Sequence, residues 1–250
     1  MKNCYLVACV VSFAAFDQQT RTDANTIIFN NDRQTGNQWG YTVGMDFTVN
    51  STVSVTALGT FDSNISGLTD PVTTAQINTS LEQGISSGDA PHIQVAIYNV
   101  NTGTQVSPVV SFFYNDPNIA NYYAIAGSIF QNITPFSLPP GTYSIVAAGY
   151  NYALAFGDIK DLNVNPPLTP PTFDTLLGAL TLTGDARSNG NGSGTPGLGF
   201  PTDYTESESS PDFLAGTFIA VNGVPDAGST LSLLGVALLG VEGLRRKFSR

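Results

Sequence analysis

The sequence predicts an all-β protein, an antiparallel β-sandwich of jelly-roll-like type carrying one short helical insertion. Three observations carry that expectation. Apolar and polar residues alternate with period two through several segments, the spacing of strands with one buried face. Turn residues are abundant, with 25 Gly and 15 Pro, and charged residues make up only 11% of the chain. Thr, Ser, Asn and aromatics dominate instead, a composition that favours strands over a helical bundle.

Taken in order, the first clear strand is "WGYTVGMDFTVN". Trp39, Tyr41, Val43, Met45, Phe47 and Val49 are apolar, and the intervening positions are Gly, Thr, Gly, Asp, Thr and Asn. "STVSVTALGTFD" repeats the pattern with Val53, Val55, Ala57 and Phe61. Next comes an insertion, "TDPVTTAQINTSLEQGISSGDAP", in which Ile77, Leu81 and Ile85 recur at a helical step of four. Thr73 and Gln76 fit a capping box and Gly84 a helix stop, so a short helix laid over one end or edge of the sandwich is expected. An irregular loop is the alternative.

"HIQVAIYNV" returns to strand spacing with Ile93, Val95 and Ile97, and "NVNTGTQV" carries an Asn-Thr-Gly hairpin turn. "TQVSPVVSFFY", "ANYYAIAGSIF" and "GTYSIVAAGYNY" read as further strands, with "LPPGTY" marking a sharp turn. "LNVNPPLTPP" has the look of a linker, yet "TFDTLLGALTLTGDAR" and "PDFLAGTFIAVNG" after it still read as strands. A bridging loop inside one domain of residues 26–222 is expected, with a second small domain from about residue 172 as the competing division. "RSNGNGSGTPGLG" is a glycine-rich loop.

The formal charge is −10, and five of the nine basic residues, Lys2, Arg245, Arg246, Lys247 and Arg250, lie outside the body. A body that acidic repels phosphate backbones, so no nucleic-acid partner is expected. Both cysteines, Cys4 and Cys9, fall in the first ten residues, which excludes a disulfide-stapled scaffold. Residues 1–16 have the layout of a signal peptide: Lys2, an apolar stretch from Tyr5 to Phe16, and small residues near a plausible cut. A lipoprotein cut at Cys9 would leave an apolar run of only about five residues, below the usual length.

The segment "VPDAGSTLSLLGVALLGVEGLRRKFSR", residues 224–250, forms a second address. An apolar run of about 18 residues from Ala227 lies at the lower edge of a bilayer span. Arg245, Arg246 and Lys247 follow it and act as a basic stop, keeping that end cytoplasmic while everything before it is translocated. The order of a Val224-Pro225-Asp226 motif with Gly228 and Ser229, a Leu/Gly/Ala-rich helix and a basic tail resembles the PEP-CTERM class of bacterial sorting signals, and within it the VPDSG-CTERM variant. Ala227 stands where that variant usually has Ser. The resemblance implies an exosortase partner, which recognises the motif and removes the tail, and a mature protein at the cell surface or outside the cell. Pro225 disfavours helix at Val224, which leaves the motif extended for a protease.

The body also resembles a type of domain common among PEP-CTERM proteins. "FTVNSTVSVTALGTFDSNISGL", "HIQVAIYN", "SLPPGTYSI", "LGFPTDY" and "DFLAGTFIA" carry that likeness, which implies a fold more than a function.

Candidate chemistry is sparse. Asp62, Asn64 and Ser66 alternate before Gly67, with Asp70 further on; hard oxygen ligands at that spacing suggest half of a calcium loop. A solvated Asx turn is the plainer reading. His92 is the only histidine and reads as a hydrogen-bonded structural residue. Glu206 and Glu208 in "TESES" read as a solvated face. No phosphate loop, dinucleotide fingerprint, zinc spacing or nucleophile elbow is present, so no enzyme is expected. Tyr114, Tyr122, Tyr123, Tyr150 and Tyr152 cluster around strand ends and loops; exposed aromatics on a sandwich stack on sugar rings, while core or rim positions are the plainer reading for most of them. The expected role is a non-enzymatic structural or adhesive protein of the surface or extracellular matrix, with extracellular polysaccharide as a partner. The alternative is a carbohydrate-binding module assisted by calcium. Membrane contact is expected only through the C-terminal helix before processing.

Overall fold

Apolar alternation stabilises a fold only when two sheets bury their apolar faces against each other. The computed structural model describes residues 25–30, 42–62, 65, 68, 71–84, 93–149, 172–188, 198–207 and 215–222. The strands are β1 (Thr26–Ile27), β2 (Phe29–Asn30), β3 (Val43–Val49), β4 (Val53–Phe61), β5 (Ile93–Asn99), β6 (Thr104–Gln105), β7 (Val110–Phe112), β8 (Tyr122–Ile125), β9 (Ser128–Leu138), β10 (Gly141–Ala148), β11 (Thr172–Phe173), β12 (Leu180–Ser188), β13 (Asp203–Ser207) and β14 (Gly216–Asn222). One helix, α1 (Thr74–Gly84), and a short 3-10 turn (Ile119–Asn121) accompany them.

The strands form a five-stranded front sheet, ordered β1-β14-β4-β9-β8, and a seven-stranded back sheet, ordered β13-β12-β3-β10-β5-β6 with β7 also on β5. Strands β11 and β2 pair separately, and all the pairings given by register are antiparallel. The predicted all-β, antiparallel class holds. Strands beyond residue 172 complete both sheets: β12 pairs with β3, and β14 with β4.

Val43, Met45, Phe47 and Val49 of β3 and Ile93, Val95 and Ile97 of β5 all join one buried core, as their alternation predicts. Phe47 meets Phe218 across the sheets at 5.0 Å, with Phe29 against Phe173 at 5.1 Å and Tyr143 at 6.0 Å from Phe47. Each such aromatic pair contributes about 1 kcal/mol beyond its burial. The sheets approach closely at Gly216, where a Cβ would come within 2.8 Å of Ile145. A larger residue there would push β14 away from β10.

Strand β4 departs from strict alternation. Both its neighbours skip Thr56: Ile219 pairs with Ala57 and Ala220 with Val55, while β9 slips between Val55 and Ala57. Such a bulge reverses the facing of the residues just beyond it, Ala57 and Leu58, while Phe61 at the strand end remains in the main core. Ala57, expected in the main core, instead joins Phe130 and Ile219 in a separate cluster, and Leu58 takes the core position. The Thr56 hydroxyl steadies the bulge against the Ile219 carbonyl at 3.4 Å.

The predicted helix forms with its predicted cap. Thr73 Oγ1 accepts the Gln76 N–H at 3.3 Å, and Gln76 Oε1 accepts the Thr73 N–H at 2.9 Å. Ile77 and Leu81 turn their buried face into the core, and α1 packs against β8 at the edge of the front sheet. Ile85, Trp39 and Tyr41 lie outside the described residues. Among the described residues no helix is long and apolar enough to cross a membrane; the C-terminal run and the signal peptide lie outside them.

Candidate functional site

Of the predicted site residues only Asp62 is described. Val224, Pro225, Asp226, Gly228 and Ser229 of the motif, the basic Arg245, Arg246 and Lys247, the calcium candidates Asn64, Ser66 and Asp70, and His92 lie outside the described residues. Asp62 follows Phe61 at the end of β4 and is fully buried. Its N–H donates to the Gly127 carbonyl at 2.9 Å, and its own carbonyl accepts the Ile65 N–H at 3.1 Å. Its carboxylate accepts the Ser80 hydroxyl. Ser80 lies on the same face of α1 as Ile77, so this contact latches the helix to the strand end. Among the described residues there is no group of three or more His, Cys, Asp or Glu that could hold a metal ion.

Of that tyrosine cluster, Tyr122 is buried and Tyr114 and Tyr123 are half-buried. Tyr114 rests against the core. Tyr122 is buried, donates its hydroxyl to the Asp116 carboxylate and sits 3.0 Å from the Ser111 carbonyl. Burial, then the Asp116 contact, raises its ionisation well above the ordinary tyrosine range. Tyr123 stacks on Phe130 at 5.7 Å and donates to Asn132 at 3.1 Å. Tyr150 and Tyr152 lie outside the described residues.

The most elaborate polar arrangement was missed in the sequence. Asp46 occupies a polar position of the β3 alternation, facing away from the main core, yet it is 1% exposed. Arg187 of β12 grips it: Nε lies 2.8 Å from both carboxylate oxygens, and a terminal nitrogen 2.7 Å from Oδ2. Phe200 lies over the guanidinium at 4.9 Å and beside Tyr98 at 5.9 Å. With Leu198 it packs on Ala96, Tyr98 and Val146, giving the outer face of the back sheet a small core of its own.

Ser144, opposite Asp46 in the β10–β3 register, is fully buried, and its hydroxyl makes no hydrogen bond among the described residues. It fills the space above Gly44, where a Cβ would lie 2.7 Å from its Oγ. This cluster joins an ion pair, a cation–π contact and a close-packed hydroxyl. Its chemistry is that of a clamp across β3, β12 and the 198–201 segment. One clue was legible: Arg187 is among only four basic residues of the body, and it sits in a strand.

Comparison with known proteins adds one finding. No curated protein and no solved structure matches the chain. A family model described as the VPDSG-CTERM motif matches residues 223–248. That stretch contains the Val-Pro-Asp motif, the apolar run and the basic cluster in order. Residues 223–248 are therefore a VPDSG-CTERM motif, a PEP-CTERM-like exosortase sorting signal that directs export toward the cell surface.

Proposed function

We propose that the mature protein is a non-enzymatic structural or adhesive component of the cell surface or extracellular matrix, cut by an exosortase from a membrane-anchored precursor. The sorting signal at residues 223–248 carries this reading. In it, residues 227–244 hold the precursor in the bilayer, and Arg245, Arg246 and Lys247 keep the tail inside. The winding is read as jelly-roll-like, supported by the chain's crossing between the sheets from β3 to β4, β4 to β5 and β9 to β10, and by the pairing of β1 with β14. A structural role is further supported by how the described ionisable groups are used: Asp46, Asp62 and Asp116 each hold one element to another. Calcium bound by the 62–70 loop belongs to the same proposal; millimolar Ca²⁺ should then raise the melting temperature, and an unchanged temperature would remove it.

The test is mass spectrometry of protein harvested outside the envelope, from hosts with and without the exosortase. The expected product lacks the apolar run, and Asp226→Ala leaves it attached. An intact tail on protein harvested outside would overturn the sorting mechanism. Turnover of a polysaccharide by the purified body would overturn the non-enzymatic role.

A further inference from the structure

We infer that one end of the sandwich is a lipid-contacting surface, with Leu177 at its tip. The inference rests on the membrane-anchored precursor proposed above. Strand β14 ends at Asn222, and the sorting signal begins at the next residue. Asn222 pairs with Val53, and Val53 with Leu138. On the other sheet Val49 pairs with both Gly141 and Leu180. The turns 50–52, 139–140 and 174–179 therefore crown the same end, joined by the hairpin tip 100–103, whose Val100 N–H bonds the Thr142 carbonyl at 3.0 Å.

Four residues, hence five Cα-to-Cα steps, separate Asn222 from Ala227, where the apolar run starts. Fully stretched they reach at most about 18 Å, and a headgroup layer takes up about 6 Å of that. A folded body on so short an arm is held with this end within about 12 Å of the headgroup layer.

The surface suits that position. Across these four turns only Asp174 carries charge, in a chain with 28 charged residues (19 acidic plus 9 basic). Asp174 is exposed, and its carboxylate accepts the Leu176 N–H at 2.7 Å. Pro139 and Pro140 are exposed. Leu177 is 75% exposed, more than any other described large apolar side chain. It is also held with φ at 58°, following Leu176 at 46°, a left-handed conformation that leucine rarely adopts. Asn50 fixes the turn by donating to the Gly178 carbonyl at 2.9 Å and to Thr181 at 2.8 Å. An exposed apolar side chain on a braced, strained turn, among four described turns that carry one charge, fits insertion between lipid headgroups beside the anchor.

The test uses the full chain with Cys4→Ser and Cys9→Ser, reconstituted in phosphatidylethanolamine–phosphatidylglycerol vesicles containing brominated lipid. A bimane probe is placed at Leu177→Cys, or at Ile125→Cys as the control. Ile125 is an exposed apolar residue at the opposite end, paired with Ser128 where β9 begins. The expected result is lipid quenching at position 177 and none above background at 125. Failure of the chain to float with the vesicles would overturn the anchored precursor and this surface with it. Flotation with equal fluorescence at both positions would overturn the lipid surface alone. Equal fluorescence combined with slowed tail removal in Leu177→Asp would assign this end to the processing enzyme, also overturning the proposal.

Discussion

Two aspartates, both withdrawn from water, are treated differently by the fold. Asp46, on the outer face of the back sheet, faces a full countercharge in Arg187 under the Phe200 ring. Asp62, at the end of the central strand β4 of the front sheet, takes the neutral Ser80 hydroxyl and ties down a helix. An ion pair in a dry site roughly offsets its own desolvation, so its removal as a whole changes little. Breaking it from one side leaves a buried charge and is costly. A hydroxyl latch involves no second charge, so removing the Ser80 hydroxyl costs one hydrogen bond and the desolvation of the carboxylate left behind. The clamp thus binds distant strands together strongly only while intact, whereas the latch governs one local element.

The largest effect should come from Arg187→Ala, which strands Asp46 and should cost about 3–5 kcal/mol. It is read as a drop in denaturant midpoint at unchanged slope. The double variant Asp46→Leu/Arg187→Met should recover most of that loss; a double variant as unstable as the single would break the clamp account. Next, Asp62→Ala should cost about 1–3 kcal/mol, with the amides of α1 exchanging faster than those of β3. Uniform acceleration across both sheets would show that Asp62 is not a local latch. Asp62→Asn, which keeps an acceptor for Ser80, should cost less than Asp46→Asn, which leaves Arg187 without its countercharge.

Tyr122 and Asp116 extend the comparison to a third carboxylate. The tyrosine's ionisation lies higher in the folded than in the unfolded chain, mainly through burial. Its contribution is therefore complete below about pH 10, the unfolded value, and is lost as pH rises beyond it. Tyr122→Phe should cost about 1 kcal/mol at neutral pH and flatten the alkaline fall in stability. An unchanged alkaline slope would assign that fall to other groups. The smallest effect is a gain. Leu177→Asn accepts the left-handed turn more readily, and should add about 0.5 kcal/mol, seen as a slightly higher melting temperature. A loss would mean that the leucine side chain packs usefully despite its exposure.

Legibility in the chain tracks the range of the interaction. The strands through Phe47 and Ile97 were legible because alternation is written into consecutive residues. The capping box was legible because Thr73 and Gln76 lie one turn apart. The signal at 223–248 was legible because its parts act in order along the chain. Ala57 was misplaced because a bulge is a property of two strands in register, and nothing within "VSVTALG" declares Thr56 to be the extra residue. The clamp escaped notice because its partners are 141 positions apart, and an outward polar residue looks solvated until another segment covers it.

Local periodicity and motif order thus determined the strands, the helix and the address. The order of strands in each sheet, the reversal after Thr56 and the drying of Asp46 were decided only in the assembled sandwich. Each depends on which distant segment comes to lie alongside, and a residue's own neighbours in sequence do not encode what will exclude its water.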